Sequence, residues 1–267
     1  MLLEKEHKLE GLLASYKRVA VAFSGGADSS LLVKKAIEVL GTENVLLLTA
    51  RSCLLKQSEI DFAANWLSRH GYEEQVDHKF IDLQPLSWGE FVRNPSDRCY
   101  LCKLRVYQMF AELSDQYGKA QLIDGTNDDD MQSTRPGLRA LRELSIGTPL
   151  ADAGLSKDEV RRLSRELQLD TWNRPSASCL ATRIPDGLEI TEERVSLVEK
   201  LESCLETMGF KGCRVRLDRH KSDIVFIQVL EKDIAELAMA ANGSDLVHLF
   251  NDSGVKRIFL DLNGRRI

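Results

Sequence analysis

The chain has 267 residues, of which 43% are hydrophobic and 29% charged, the composition of a soluble globular protein and not of a disordered, collagen-like or membrane-spanning one. At roughly 150 residues per domain, this length suggests one large domain or two modest ones. Lys and Arg number 36 against 41 Asp and Glu, a net charge of −5, which argues against wholesale coating of nucleic acid and leaves room for local basic patches.

The opening segment MLLEKEHKLEGLLASYKRVA lacks the basic-then-apolar order of a signal peptide and reads as a short amphipathic helix, so a cytoplasmic location is expected. From Arg18 the run RVAVAFS predicts a strand, Gly25-Gly26 breaks it, and ADSSLLVKKAIEVL continues with helical spacing. A second strand is expected over 45–50, a helix around 57–70, and a third strand over 77–82 followed by an irregular stretch. A helical pattern runs over about 102–117, and QLIDG at 121–125 reads as a buried strand ending on glycine. Alternating strands and helices predict a doubly wound α/β domain with a parallel sheet. Polar, turn-rich residues occupy 127–137, and a helix is expected over 156–167, where Ser156 and Glu159 fit a capping box. The segment TWNRPSASCLATRIPDG, with two prolines and little periodicity, is expected to be a loop. Beyond Thr191 the pattern is helix (192–208), strands (213–217 and 223–229), helix (231–241) and a final strand near 257–262, a small α+β domain. The expected division is 1–180 and 181–267.

Ser24-Gly25-Gly26-Ala27-Asp28-Ser29 stands where a strand hands over to a helix. Glycines let the backbone approach an anion closely, the helix N-terminus supplies unpaired N–H groups, and Ser24 and Ser29 add hydroxyls. Asp28 is ill suited to bare phosphate but well suited to Mg²⁺ bound to that phosphate. The Lys of the G-x-x-x-x-G-K-[ST] loop is absent. The alternative is a plain tight turn with a first-turn helix acid. The hexapeptide resembles the SGG-x-D-S loop of the PP-loop ATP pyrophosphatases, which cleave ATP between the α and β phosphates. Asp124-Gly125-Thr126-Asn127 follows a second predicted strand, and two loops at strand C-termini would face one crevice. The resemblance implies that adenosine sits at the end of the second strand, Thr49-Ala50-Arg51, and that Gly125, Thr126 and Asn127 join the ATP site.

Cys99-Tyr100-Leu101-Cys102 is a C-x-x-C motif at an expected helix start, and Cys179 lies alone in the Pro- and Ser-rich loop. A C-x-x-C places two sulfurs near one metal, and a third from a distant loop would leave one iron or zinc position open. A redox dithiol, a structural zinc with an unseen fourth ligand, and free thiols are the other readings. Cys53, Cys204 and Cys213 have no comparable spacing and are expected to be small core residues.

The run DGTNDDD…RPGLRALREL…TPLADAGLSKDEVRRLSRELQL…TWNRPSASCLATRIPDG, with SGGADSS, resembles the LarE family from about residue 18 to the C-terminus. Its members are ATP-dependent sulfur transferases that build the nickel-pincer nucleotide cofactor. The resemblance implies adenylylation of the carboxylates of a pyridinium dicarboxylate mononucleotide and their conversion to thiocarboxylates, with release of AMP and pyrophosphate. Some members give up the sulfur of a single cysteine matching Cys179. Others hold a [4Fe–4S] cluster on three cysteines matching Cys99, Cys102 and Cys179, with sulfide on the open iron. All three stand in this sequence, so the cluster branch is expected, with Cys179 and Asp28 as catalytic residues and ATP, Mg²⁺ and the cluster as cofactors. Asp186 stands where an aromatic Tyr is more common, and the end at NGRRI is shorter than the expected tail.

Arg183 follows Cys179 by four residues, and Arg214 and Arg216 alternate on a predicted strand, so their side chains share a face. Arginine forks suit phosphate or carboxylate, with ordinary surface charge the plain alternative. The resemblance implies that the R-x-R pair binds the substrate phosphate, with Asp261 and Arg265 as further candidates. Glu199 and Glu202 either face the site or solvate it, Asp128-Asp129-Asp130 either assist Mg²⁺ or form a solvated loop, and the five histidines show no ligand spacing. The expected partners are a small nucleotide substrate and sulfide or a sulfur donor, without nucleic acid or membrane, in a homo-oligomer. A tRNA thiolase of the same superfamily would show a basic face or an added RNA-binding module, whereas the basic run at 211–221 is short. A regulatory ATP-binding module with structural zinc would be colourless and would release no pyrophosphate.

Overall fold

The computed structural model describes residues 2–132, 136–175, 178–240 and 245–265. Residues 133–135 of the turn-rich segment, 176–177 of the cysteine loop, and 241, where the 231–241 helix was expected to end, lie outside the described residues. Two compact units form, one from Met1–Ser52, Gln57–Leu83 and Asp97–Arg174, the other from Cys53–Lys56, Gln84–Ser96 and Pro175–Ile267. In chain order the elements are α1 (Leu2–Tyr16), β1 (Val19–Ala22), α2 (Ala27–Leu40), β2 (Val45–Arg51), α3 (Gln57–Ala64), α4 (Trp66–Arg69), β3 (Asp77–Asp82) and α5 (Gly89–Val92). There follow α6 (Arg98–Gln116), β4 (Gln121–Asp124), α7 (Asp128–Met131), α8 (Gly137–Glu143), α9 (Pro149–Asp152) and α10 (Lys157–Glu166). The last are α11 (Glu192–Thr207), β5 (Arg214–Leu217), β6 (Ile224–Gln228), α12 (Ile234–Ala240), α13 (Asp245–Asp252) and β7 (Arg257–Leu260).

The first unit is built on a wholly parallel sheet in the order β3-β2-β1-β4. Its central strands are apolar on both sides, as a sheet covered on both faces requires. Successive side chains divide between two cores: Val19, Val21, Val45 and Leu47 pack with Leu9 and Leu13 of α1, Leu31 and Leu32 of α2 and Trp66 of α4, while Ala20, Leu46, Leu48 and Leu122 pack with Tyr107 and Phe110 of α6. Each buried large side chain stabilises by roughly 1.5–3 kcal/mol, so these two layers hold the sheet in place. Chain order reverses at β1, whose neighbours are β2 and β4. Ala22 is paired with Asp124, so the loops that follow β1 and β4 leave from adjacent strand ends, the switch point where open α/β sheets bind ligands.

In the second unit β5 and β6 are antiparallel, β6 and β7 parallel, in the order β5-β6-β7. Val195, Val198, Leu201 and Leu205 line the buried stripe of α11, which packs on β5. The opposite sheet face carries Arg214, Arg216, Phe226, Gln228, Arg257 and Phe259 at alternating positions.

The expected helix at 57–70 is divided at Asn65, where the side-chain amide and the backbone N–H both donate to the Asp61 carbonyl (2.8 and 3.0 Å). The helix expected from Cys102 begins at Arg98, so Cys99 lies in its first turn and Cys102 at the start of the second. The 231–241 segment resolves into a 3₁₀ turn, Glu231–Asp233, and α12, and α13 was not expected. Ser156 and Glu159 form the capping box in both directions. No helix among the described residues is long and apolar enough to cross a membrane.

Asn94 shows how the second unit closes on itself. It is fully buried, adopts φ +55°, and its side-chain amide donates to the carbonyls of Ile184 (3.3 Å), Pro185 (2.8 Å) and Leu188 (2.7 Å), while its backbone carbonyl accepts from the Gly187 N–H (2.8 Å). Asn tolerates the left-handed region that Ala does not, and Ala would leave buried carbonyls without donors. Asn94→Ala is therefore expected to destabilise the protein by roughly 3 kcal/mol, and an unchanged midpoint in urea unfolding would refute this role.

Candidate functional site

The loop after β1 is clamped before it turns: the Phe23 N–H donates to the Leu48 carbonyl (2.8 Å) and the Thr49 hydroxyl donates to the Phe23 carbonyl (2.8 Å). Gly25 has φ +71°, and a Cβ there would stand 3.0 Å from Cβ and 3.1 Å from Cα of Ala63, so both conformation and space demand glycine. The Ser24 and Ser29 hydroxyls lie 3.1 Å apart, and Ser29 Oγ accepts from the Ser24 N–H (3.3 Å). Gly26 caps α2 without any side-chain bond to the helix N-terminus, leaving the first-turn N–H groups suited to an anion.

The loop after β4 lies directly on this turn. A Cβ on Gly125 would stand 2.9 Å from the Ser29 nitrogen and 3.1 Å from the Asp28 carbonyl carbon, a backbone approach that any other residue would block. Asn127 Nδ2 donates to Asp28 Oδ1 (2.9 Å), while its Oδ1 accepts from the Asp130 N–H (3.0 Å). The Thr126 N–H donates to Asp124 Oδ1 (2.8 Å), and the Thr126 hydroxyl donates to the same oxygen. Burial pushes the Asp28 carboxyl above its ordinary range, with Asp130 adding to the rise and the Asn127 bond and the Lys157 charge opposing it. A partly desolvated carboxylate beside N–H groups aimed at an anion has the oxygen chemistry that fits Mg²⁺ bound to phosphate. Of the acidic run, Asp129 accepts from the Lys157 N–H (2.6 Å), a loop staple, whereas Asp130 stands close enough to Asp28 to act on its charge.

At the end of β2, Thr49 is buried and its oxygen lies 2.8 Å from His78 Nε2. Because the Thr49 hydroxyl already donates to Phe23, it accepts here, which assigns His78 as the Nε2–H tautomer. Arg51 forks onto Asp82 at 2.9 Å and 2.9 Å and lies 4.9 Å from the Phe80 ring centre. Neither His78 nor Asp82 was singled out from the sequence: they enter through strand pairing, which no local spacing reveals.

The second unit gathers the predicted arginines. Arg183 is buried and forks onto Glu202 at 2.7 and 3.2 Å, while its Nη1 donates to the Ser178 carbonyl (2.8 Å), the Cys179 carbonyl (3.2 Å) and the Thr182 hydroxyl (2.9 Å). It thereby shapes the turn that carries Cys179, which precedes the 3₁₀ turn Leu180–Arg183. Glu202 is wholly buried and also meets Lys56 Nζ (2.9 Å) and the Val215 N–H (3.0 Å). Burial pushes its carboxyl up, and the Arg183 and Lys56 charges outweigh this and hold it low. Arg214 has a buried Nε without a hydrogen-bond partner among the described residues. Burial first, then the charges of Arg265, Arg183 and Arg216, bring its pKa down to about 10. Arg216 donates to Gln228 Oε1 (3.0 Å) and the Thr182 carbonyl (3.0 Å), and Gln228 donates to Asp261 (2.6 Å). Arg265 donates to the Gly212 carbonyl. Arg216, Gln228 and Asp261 share a shallow cleft of about 330 Å³ with the stacked rings of Phe226 and Phe259, 5.3 Å apart. Positive charge crowded around one carboxylate, with an unanswered guanidinium N–H, suits an anionic ligand.

Cys99 is exposed, Cys102 and Cys179 half-buried. Cys99 stands in the first turn of α6 and Cys102 at the start of the next, three residues apart on one helix face. Among the described residues no three His, Cys, Asp or Glu side chains gather closely enough to hold one metal ion. Cys53 is exposed, in a turn, and not the core thiol expected, whereas Cys213 is buried and burial pushes its thiol up to about 12.

No protein-family model matches the chain. It is 32% identical to the pyridinium-3,5-bisthiocarboxylic acid mononucleotide synthase of Lactiplantibacillus plantarum, over 99% of this chain and 93% of that protein. An uncharacterized protein of Synechocystis is 32% identical over 99% of this chain and 96% of its own length. A subunit of the glutamine-hydrolyzing GMP synthase of Thermoplasma acidophilum is 27% identical over 71% of this chain and 66% of that protein.

The half-buried His78 gives the first unit a sensitivity to acid. Burial lowers its pKa from 6.5 to about 4, so between these values the unfolded chain binds a proton that the folded one refuses. The stabilisation is complete above about pH 6.5 and is lost as the pH falls towards 4, at most about 3 kcal/mol. His78→Gln is expected to remove this part of the acid-induced loss in urea unfolding, and superimposable pH profiles for the two proteins would refute the assignment.

Proposed function

Because the chain belongs to the LarE family, the pyridinium-3,5-bisthiocarboxylic acid mononucleotide synthases, we propose that it activates a carboxylate of a pyridinium dicarboxylate mononucleotide with ATP and replaces the activated oxygen by sulfur. Sulfur transfer in the synthesis of the bisthiocarboxylate mononucleotide is the activity of this family, and the PP-loop fold supplies the ATP site. The observation that carries the ATP-dependent step is the seating of Gly125 and Asn127 on the first turn of α2, which joins Asp28 to the uncapped helix N-terminus.

In this reading a substrate carboxylate oxygen attacks the ATP α-phosphorus, an O–P bond forms, and the bond to pyrophosphate breaks. N–H groups of Gly25 and Gly26 and the hydroxyls of Ser24 and Ser29 stabilise the departing charge. Asp28 holds Mg²⁺, which when bound offsets phosphate charge. Thr49 and Arg51 border adenosine, and Thr126 completes the polar wall. Sulfide then adds to the acyl carbon and the bond to AMP breaks, a step that needs no proton relay because sulfide is nucleophilic near neutral pH. Arg214, Arg216 and Arg265 receive the substrate's phosphate and carboxylates, Asp261 lines the site as acceptor from Gln228, and Arg183 adds charge while it shapes the Cys179 turn.

The sulfur chemistry assigned to Cys99, Cys102 and Cys179 is that of ligands to a [4Fe–4S] cluster. Three thiolates would hold the cluster and leave one iron free for exogenous sulfide, which would spare Cys179. The i, i+3 spacing of Cys99 and Cys102 on one face at the start of α6 supports this donor set. Functionally, residues 1–180 handle ATP and 181–267 handle substrate and self-association, in a cytoplasmic homo-oligomer that takes sulfide or a sulfur donor and no nucleic acid.

Anaerobic purification with iron and sulfide analysis, beside ATP-dependent pyrophosphate release in the presence of the dicarboxylate mononucleotide, tests both halves. Wild type is expected to be brown with about four irons per chain and to release pyrophosphate, and Cys179→Ala to lose most of the iron. Protein that stays free of iron after reconstitution would return sulfur donation to Cys179 itself, and absence of pyrophosphate release would overturn adenylylation.

A further inference from the structure

Tyr107 is a core residue with one unusual atom. Its ring packs with Phe110 of α6 and with Leu46, Leu48 and Leu122 of the sheet, an environment that phenylalanine would fill as well. Its hydroxyl, however, donates to Asp124 Oδ2, and Lys103 Nζ, one turn earlier on α6, lies 3.4 Å from the same oxygen. The other oxygen of Asp124 is taken by the N–H and hydroxyl of Thr126. Both oxygens of a buried carboxylate are thus engaged, which fixes its orientation and the peptides that follow it.

We propose that Tyr107 is a positioning residue for Asp28, acting through Asp124 and the 125–127 loop. Asp124 anchors Thr126, Gly125 is held on the first turn of α2, and the Asn127 amide has one permitted sense. Its Oδ1 faces the Asp130 N–H, so its Nδ2 must face Asp28. The hydroxyl of Tyr107 touches neither Asp28 nor the glycine loop, yet it determines where the carboxylate that would hold Mg²⁺ can stand. This inference rests on the reading of that loop as the Mg²⁺·ATP site.

Calorimetric titration of Mg²⁺ and ATP, without the second substrate, into wild type, Tyr107→Phe, Asp28→Asn and the double variant tests the coupling. Loss of a hydrogen bond to a buried charge is expected to weaken Mg²⁺-dependent ATP binding about tenfold in the wild-type background. In the Asp28→Asn background the same change is expected to cost less than about twofold, because the group being positioned is already gone. A merely structural hydroxyl would cost the same factor in both backgrounds, and that result, or no loss in either, overturns the proposal. Should Tyr107→Phe fail to fold, Thr126→Val interrupts the same chain and is held to the same cycle. If wild type binds no Mg²⁺·ATP, the reading of the loop fails with the inference, whereas Mg²⁺-dependent binding with an additive cycle removes the inference alone.

Discussion

The close approach of the Gly125 backbone to the first turn of α2 is the constraint on which the candidate ATP site depends. Parallel pairing of Ala22 with Asp124 brings the two loops to neighbouring strand ends, but neighbouring strands alone leave loops room to diverge. A residue without a side chain lets one backbone rest on the other, and the Asn127 amide then meets Asp28 across this contact. The result is a carboxylate raised in pKa by burial beside a helix end without a side-chain cap. Its charge is poorly compensated by the protein itself. A divalent cation bound to polyphosphate satisfies the carboxylate and the N–H groups together.

A second imbalance governs the other unit. Glu202 is the buried anion around which Arg183 and Lys56 are arranged, and removing either partner from such a cluster would leave a desolvated charge exposed to no solvent. Arg214, Arg216 and Arg265 are added to this arrangement, and burial first, with the neighbouring arginine charges adding to it, lowers the pKa values of Arg214 and Arg265. The region is therefore neutralised in part by Glu202 and Asp261 and left in want of an anion. The cleft beside the Phe226 and Phe259 rings adds an apolar wall to this charged edge.

The glycine loop was legible in the sequence because its chemistry lies within six consecutive residues, from Ser24 to Ser29. The capping box of Ser156 and Glu159 was legible for the same reason: both partners fall within one turn. Alternation of Arg214 and Arg216 with Val215 and Leu217 likewise placed both arginines on one sheet face. Partners distant along the chain were not legible. Arg183 reads as a ligand-binding arginine, but its fork is engaged by Glu202, 19 residues away, and the sequence offers no sign of which of Glu199 and Glu202 turns inward. His78 acquires its tautomer from Thr49 across a strand pair, Asn94 acquires its acceptors from 90 residues downstream, and Tyr107 is indistinguishable from any aromatic core residue until Asp124 is placed beside it. The start of α6 was legible to within a turn: the C-x-x-C reads as a helix start, while the helical spacing becomes clear only from Cys102, four residues after Arg98.

The bond between Asn127 and Asp28 spans 99 residues of chain, and this separation bears on how the protein matures. As the polypeptide emerges from synthesis, the glycine loop appears early, with β1 and α2 already complete. Its counterpart appears only after β2, β3 and α6 have been made and β4 can add to the free edge of β1. Closing so large a segment costs entropy before any contact within the site can offset it. The loop is thus present in the nascent chain well before nucleotide can be gripped, and binding competence arrives with the last strand of the sheet and not with the motif.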